Sequence, residues 1–495
     1  MQHTIRFVLD GRIVEVDFRK SSGLKPTTTL LNWLRTLPGH KGVKEGCGQG
    51  DCGACTVVVA TPSGKGKLVY KTIDSCLVFL PMVHGKQVIT VENLSVPGKN
   101  NKTLHPVQQA LVDVHGIQCG YCTPGMVMSL FGLYKNHPQP SRKIIGDALT
   151  GNLCRCTGYR SVIRAAQQAC MNPEPDHFSD REKEVCTLLE GIRANQETIE
   201  IGMGNQTYFR PFTLTEALRL RRDNPDALII SGSTDVAIRQ TKHKEVLSRI
   251  IDLSGVEELQ AIREDKGQLI IGAGASVEEI RQFSGKRFPV LVRLLNVFGS
   301  LQIRNMATMG GNIASASPVG DTLPFLVASG AKVILSGGAS ERTIPVEDFI
   351  TGYRVTGLRK DELIREIMIP IPATGTRIGF YKISKRKDLD ISTVSGAFRI
   401  NMVLGAVTDI ILAFGGMAVT VVRGRRAEQY LKGKKWTRET VKEAIQVLAG
   451  EFDPISDARA SAEYRHTVAG NLLLKFYLET TSPAGEEEPG RIGDI

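Results

Sequence analysis

The chain has 495 residues, 42% of them apolar, and a formal charge of +11 at neutral pH, enough length for three or four domains with well-formed cores. No stretch approaches the roughly eighteen apolar residues of a membrane helix, and the N-terminal MQHTIRFVLDGR carries charges where a signal peptide has its apolar run, so a cytoplasmic protein without a membrane span is expected. The basic clusters KRK at 385–387, RGRR at 423–426 and KGKK at 432–435 lie far apart in periodic segments without interleaved aromatics, which fits solvated surface or a subunit contact rather than a nucleic-acid site.

Residues 1–93 alternate as short strands, with an Asp10-Gly11 turn between the first two runs. They contain Cys47, Cys52, Cys55 and Cys76, whose opening C-x4-C-x2-C is the spacing of plant-type 2Fe-2S ferredoxins. Gly46, Gly48, Gly50 and Gly53 stand between the ligands, where a backbone wrapped closely around a cluster aims N–H donors at its sulfurs. A structural zinc knot or four buried thiols is the competing account.

Residues 96–175 read as four short helices, Pro106 to His115, Pro124 to Asn136, Ser141 to Leu149 and Tyr159 to Ala169, and carry a second set, Cys119, Cys122, Cys154 and Cys156. A C-x-x-C followed by C-x-C also suits zinc. Thr123-Pro124 after Cys122 and Thr157 after Cys156 place both pairs ahead of helix N-termini, where free N–H groups favour a negatively charged thiolate cluster. All ten cysteines fall within the first 186 residues, unlike the even spread of a small secreted disulfide scaffold, and Cys170 and Cys186 are left over as free thiols.

The stretch from Asn172 to Asn205 mixes prolines, charges and a Gly-Met-Gly segment, and residues 176–205 are expected to be a linker. Strands and helices then alternate over 206–375. Thr213 and Glu216 form a capping box, and the strand from Ala227 to Ile230 runs into Ser231-Gly232-Ser233-Thr234-Asp235, either a plain turn or a cradle for pyrophosphate. IIGAGASVEEI at 270–280 fails as a dinucleotide fingerprint because Val277 stands where the third glycine belongs. FGSLQIRNMATMGGNIASASPVGD at 298–321 is dense in small and polar residues that suit close approach to a cofactor, although Asp321 also fits a helix cap and Phe298 a core position. A last domain is expected over 376–482, and the glycine- and glutamate-rich 483–495 as a disordered tail.

QCGYCTPGM at 118–126 and GNLCRCTGYRSV at 151–162, following CGQGDCGAC, resemble the iron-sulfur half of the molybdenum hydroxylases, and residues 1 to about 480 resemble the small subunits of bacterial xanthine dehydrogenases. The resemblance implies an α+β multidomain fold. Its parts are a plant-type ferredoxin β-grasp domain, a four-helix 2Fe-2S bundle, a two-part α+β FAD-binding domain of the PCMH type and a small α+β C-terminal flavoprotein domain. It implies that the eight paired cysteines ligate two 2Fe-2S clusters. It further implies that FAD is held by Ile229 to Val236, by Phe298, Thr308, Met309, Gly310, Gly311, Asn312, Ser315 and Asp321, and by Ile364 and Lys382.

No general base or nucleophile is implied on this chain, which acts as an electron relay. The family's molybdenum centre hydroxylates a purine and sends electrons through the clusters to FAD and on to NAD. That centre implies a large molybdopterin-binding partner subunit, touched by Gln118, and a heterotetramer of two small and two large subunits. Other heterocycles or aldehydes as substrates, or a flavin reductase serving a different partner, stay open. Leu389 stands where the animal enzymes have an acidic residue near the flavin, so the choice between NAD and dioxygen stays open too.

Overall fold

The structure is a computed structural model and describes residues 3–21, 23–64, 66–97, 102–194, 197–338 and 340–482. Its first unit is a five-stranded sheet in the order Arg12–Asp17, Thr4–Leu9, Gln87–Ile89, Thr56–Pro62, Leu68–Asp74, with the helix Leu30–Thr36 beside it. Thr4–Leu9 pairs parallel with Gln87–Ile89, and the other neighbours are antiparallel. Asp10 and Gly11 both adopt positive φ, 54° and 68°, as a two-residue hairpin turn requires.

Side chains alternate across this sheet. Ile5, Phe7, Leu9, Val57 and Val59 enter one core with Trp33 and Leu34, while Val8, Val58 and Ala60 enter another with Phe131 and Leu133 of the helical unit. Period-2 alternation thus makes a two-faced sheet, covered on its second face by helices.

The helical unit comprises Pro106–Asp113, Thr123–Asn136, Arg142–Leu149 and Arg160–Met171. The stretch expected as a linker differs from that expectation, because it holds the helices His177–Asp180 and Glu182–Arg193 and then the strand Ile199–Met203. Phe178, Val185, Cys186 and Leu189 are buried in the same core as those four helices. Asp176 anchors the turn, accepting from Lys135 Nζ at 2.9 Å and sharing a 3.1 Å hydrogen bond with His105 Nε2. The two leftover thiols, Cys170 and Cys186, are both buried.

The third unit has two sheets. The first runs Leu228–Ile230, Arg249–Asp252, Gln206–Arg210, Ile199–Met203, and the second Ile262–Asp265, Gln268–Gly272, Leu363–Pro370, Lys332–Ser336, Glu341–Pro345. Gly272 ends an antiparallel strand, which agrees with rejecting 270–280 as a dinucleotide fingerprint. Short helices fill the space between the sheets, among them Val277–Ser284, Leu301–Arg304, Met309–Ala314 and Thr322–Ala328. A final antiparallel sheet, Arg377–Ile383, Val394–Val403, Ala406–Gly415 and Val422–Arg423, packs on the helices Arg425–Leu431, Arg438–Ala449 and Ala462–Thr481. The fold is the α+β multidomain type expected. No described helix is long and apolar enough to cross a membrane, and the expected tail at 483–495 lies outside the described residues.

Candidate functional site

The loop bearing the first thiol set turns through Gly48, Gly50 and Gly53, all at positive φ of 65–80°. Its thiols stand in pairs. Cys47 and Cys52 share a hydrogen bond that draws the Cys47 thiol down to about 5 and drives Cys52 up, and buried Cys55 and Cys76 share another. Cys47 Sγ also accepts from the N–H groups of Gln49 at 3.4 Å and Asp51 at 3.3 Å. Buried Asp74 lies 3.6 Å from Cys55 Sγ, and burial, then the Cys47 charge, pushes its carboxyl up to about 8.

The second set is paired in the same manner. Cys119 and Cys156 lie 3.8 Å apart at an exposed edge, and Cys122 pairs with Cys154. Burial, then Cys154, pushes Cys122 up to about 12. Burial would raise Cys154 too, but donation from Thr157 Oγ1 at 3.2 Å and from the N–H groups of Thr157 and Cys156 at 3.4 Å brings it to about 7. Cys122 itself occupies the cap position of Thr123–Asn136, one residue earlier than expected, and Thr157 serves the Cys154 sulfur rather than capping a helix. Gln118 donates to the Cys156 carbonyl at 3.1 Å on the exposed surface.

Among the described residues, no three His, Cys, Asp or Glu side chains gather around one point. A mononuclear zinc takes four donors on a single centre. A two-iron cluster takes two thiolates on each iron, so paired thiols fit it better.

Sequence reasoning missed how the two sets meet. The Leu153 N–H donates to the Cys52 carbonyl at 3.1 Å, and Asn152 Nδ2 donates to the Gly53 carbonyl at 3.2 Å. A Cβ on Gly53 would lie 2.5 Å from the Gly151 carbonyl oxygen, so only glycine permits this approach. Gln302, from the third unit, donates to Ser129 Oγ and Asn152 Oδ1 at 2.9 and 3.0 Å. Arg304, fully buried, bridges Asp147 of the helical unit and Glu278. Spacing along the chain carries no signal for these contacts.

The strand Leu228–Ile230 delivers the Ser231–Asp235 loop as expected. Ser233 sits at φ 57° and its hydroxyl donates to the carbonyl of Leu77, the neighbour of Cys76. A Cβ on Gly232 would collide with the Met306 carbonyl, so this glycine is required by protein backbone and not by phosphate alone. Asp235 pairs with Arg354 at 3.0 Å.

In the second stretch, Thr308 caps Met309–Ala314 through a 3.0 Å bond from the Gly311 N–H, and Gly310 lies in the same first turn. Asn312 Oδ1 accepts from Thr322, and Ser315 donates to the Asn312 carbonyl. Asp321 is not a side-chain cap. It accepts from Lys382 Nζ at 2.7 Å and from Ser392 Oγ, while Lys382 also donates to the Val297 carbonyl beside Phe298 at 2.9 Å. The structure therefore brings Phe298, Asp321 and Lys382 together across two units. Leu389 lies in the turn after the Lys382 strand. Ile230, Met309 and Ile364 are buried in cores and Ile229 and Val236 pack against them, which leaves chiefly their backbones to meet a ligand.

Residues 197–372 match the family described as FAD binding domain in molybdopterin dehydrogenase, residues 379–480 the CO dehydrogenase flavoprotein C-terminal domain, and residues 90–167 a 2Fe-2S binding domain. Xanthine dehydrogenase of Emericella nidulans is 34% identical over 97% of this chain and 39% of its own length. Aldehyde oxidase 4 of Mus musculus is 31% identical over 95% of this chain and 39% of its own. This chain thus spans about two fifths of these relatives. Among solved structures, a chain of carbon monoxide dehydrogenase from Hydrogenophaga pseudoflava matches with TM-score 0.53 and 27% identity, covering 56% of this chain and 96% of that one. A chain of quinoline 2-oxidoreductase from Pseudomonas putida 86 matches with TM-score 0.52 and 26% identity, covering 57% and 98%.

Proposed function

This chain belongs to the molybdenum hydroxylase family as its iron-sulfur and FAD portion, and from that premise we propose that it relays electrons from a molybdenum centre on a partner subunit to FAD and then to NAD, as part of a xanthine dehydrogenase. The observation that carries the reading is the chain of direct contacts joining the three cofactor segments. Leu153, next to Cys154, bonds to Cys52, and Ser233 of the flavin loop bonds to Leu77, next to Cys76.

In this reading, Cys47 with Cys52 and Cys55 with Cys76 would hold one cluster, and Cys119 with Cys156 and Cys122 with Cys154 the other. When bound, the clusters supply one-electron carriage and the flavin a two-electron hydride store. The chain's own residues set the conditions. N–H groups of Gln49, Asp51, Cys156 and Thr157 already face thiol sulfurs, and such donors stabilise the thiolate charge that ligation requires. Lys382 and Asp321 join two sides of the proposed flavin cleft, and the small-residue loop Ser231 to Asp235 would hold a diphosphate.

Exposed Cys119 and Cys156 are accompanied by exposed Ile117, Tyr121 and Leu153. That apolar rim, with Gln118 at its edge, suits docking of a large molybdopterin-binding subunit, in a heterotetramer of two copies of each. The hydroxylated substrate is chosen on that partner, and xanthine is favoured by the xanthine dehydrogenases among the relatives. The test is kinetic. The isolated, metal-analysed chain should oxidise NADH with a dye acceptor and leave xanthine untouched, and xanthine turnover should return only with the molybdenum-bearing partner. Xanthine turnover by the chain alone would overturn the subunit reading.

A further inference from the structure

A cavity of about 1860 Å³ opens between the ferredoxin-like sheet, the helical unit and the third unit. The electron-relay reading uses little of it. One part of its wall gathers His84, Lys86, Arg193 and Arg210 from three separate segments. Two of these groups carry a donor without an acceptor, although Arg210 Nη1 also donates to the Pro81 and His84 carbonyls at 3.3 Å. Arg210 is 3% exposed, and its Nε, like that of Arg193, has no hydrogen-bond partner.

Asp252 lies 3.4 Å from Arg210 Nε but already accepts from Tyr208 and Ser254. The His84 ring accepts the Arg6 N–H on Nδ1, which puts its proton on Nε2. The charges that act on Lys86 are three cations, Arg210, Lys71 and Arg193, against the single carboxylate of Asp252. Of the other acids on the wall, Glu279 pairs with Lys71, Glu278 and Asp147 with Arg304, Asp388 lies beside Lys387 and Lys382, and Glu257 faces Arg193.

A buried donor without an acceptor is destabilising, because it has given up water and gained nothing in return. Two unpartnered guanidinium Nε groups with Lys86 and His84 on the same wall form an arrangement that an oxyanion relieves, since guanidinium, ammonium and imidazole N–H groups are the donors that phosphate oxygens accept from. The crowding registers in the groups themselves. Burial, then the Arg210 charge, pulls the Lys86 ammonium down to about 7, and burial, then Arg210, lowers His84 to about 3.

We propose that this cavity is a binding site for a phosphate-class oxyanion, either free phosphate or the phosphate of a nucleotide, held by Lys86, Arg193, Arg210 and His84 and distinct from the flavin loop. Ser231, Gly232 and Thr308 touch the same cavity, so the test uses the full chain with clusters assembled and FAD saturating. Inorganic phosphate and, separately, ADP are titrated calorimetrically against chloride at equal ionic strength. Lys86→Met and Arg193→Gln are compared with the unaltered chain, together with their flavin content and thermal unfolding without phosphate.

Saturable binding of either probe, weakened about tenfold or more in each variant while flavin and folding are retained, is the expected result. Binding of ADP alone identifies a nucleotide as the source, and equal binding of phosphate identifies the free anion. No heat beyond the chloride control, or unchanged affinity in both variants, would overturn the proposal. Loss of FAD in the variants would assign these donors to the flavin phosphates and overturn the separate site.

Discussion

The backbone N–H of Leu153 donates to the carbonyl of Cys52 at 3.1 Å. One hydrogen bond therefore separates the residue before Cys154 from a thiol-bearing residue of the other set. Asn152, 2% exposed, steadies that junction, accepting from Ser129 and Gln302 while donating to Gly53.

Replacing Asn152 with Ala should cost about 1–3 kcal/mol for each polar group left buried and unpaired. Chemical denaturation should show the loss, and rapid-mixing reduction should show slower electron exchange between the clusters although both assemble. Unchanged stability and unchanged exchange would remove Asn152 from the junction.

Lys382 and Asp321 form a nearly buried ion pair, with side chains 4% and 10% exposed. Lys382→Met leaves the carboxylate without its cation and should destabilise by about 3–5 kcal/mol, with reduced flavin content. The double variant Lys382→Met/Asp321→Leu should recover stability without recovering flavin. Full flavin occupancy in the double variant would show that the pair is structural only.

Gly232→Ala already places a carbon against the Met306 carbonyl. The loop must move, so FAD occupancy should fall while iron and sulfide stay at the unaltered level. Ser233→Ala, which only removes the bond to Leu77, should have a smaller effect. Iron and flavin assays on the two purified variants decide this, and undiminished flavin in Gly232→Ala would count against the loop.

Asp176 supports the helices after the second cluster unit. Burial would raise its carboxyl, but His105, then Lys135 and the Ser179 N–H, hold it well below its ordinary value of 3.8. A depressed folded pKa gives stability that is fully present above 3.8 and lost as pH falls toward the folded value. Asp176→Asn should therefore be less stable than the unaltered chain in urea near pH 6, and its deficit should shrink below pH 3.8. A deficit independent of pH would assign the effect to packing.

Much of the site was legible because its chemistry is local. Cysteine spacing, the glycines between ligands, and Thr-Pro after Cys122 all lie within a few residues of the group they serve. Two other features depend on packing between units. The segment 176–205 is expected as a linker from its charges and the prolines just before it, yet Val185, Cys186 and Leu189 lie on one helical stripe that only a neighbouring core makes meaningful. The phosphate expectation for Gly232 says nothing of its second constraint, the backbone at Met306, over seventy residues away. Contacts such as Gln302 with Asn152 or Arg304 with Asp147 depend on how units pack and leave no periodic trace.

The most direct test of the central claim is low-temperature paramagnetic resonance on the reduced chain and on Cys52→Ser and Cys154→Ser. Two iron-sulfur clusters, each held by its own set of four thiolates, predict two distinguishable signals in the unaltered chain. Cys52→Ser should lose or shift one and Cys154→Ser the other, because serine oxygen is a poorer ligand for iron than thiolate. A single signal in the unaltered chain, or both signals intact in both variants, would contradict the account.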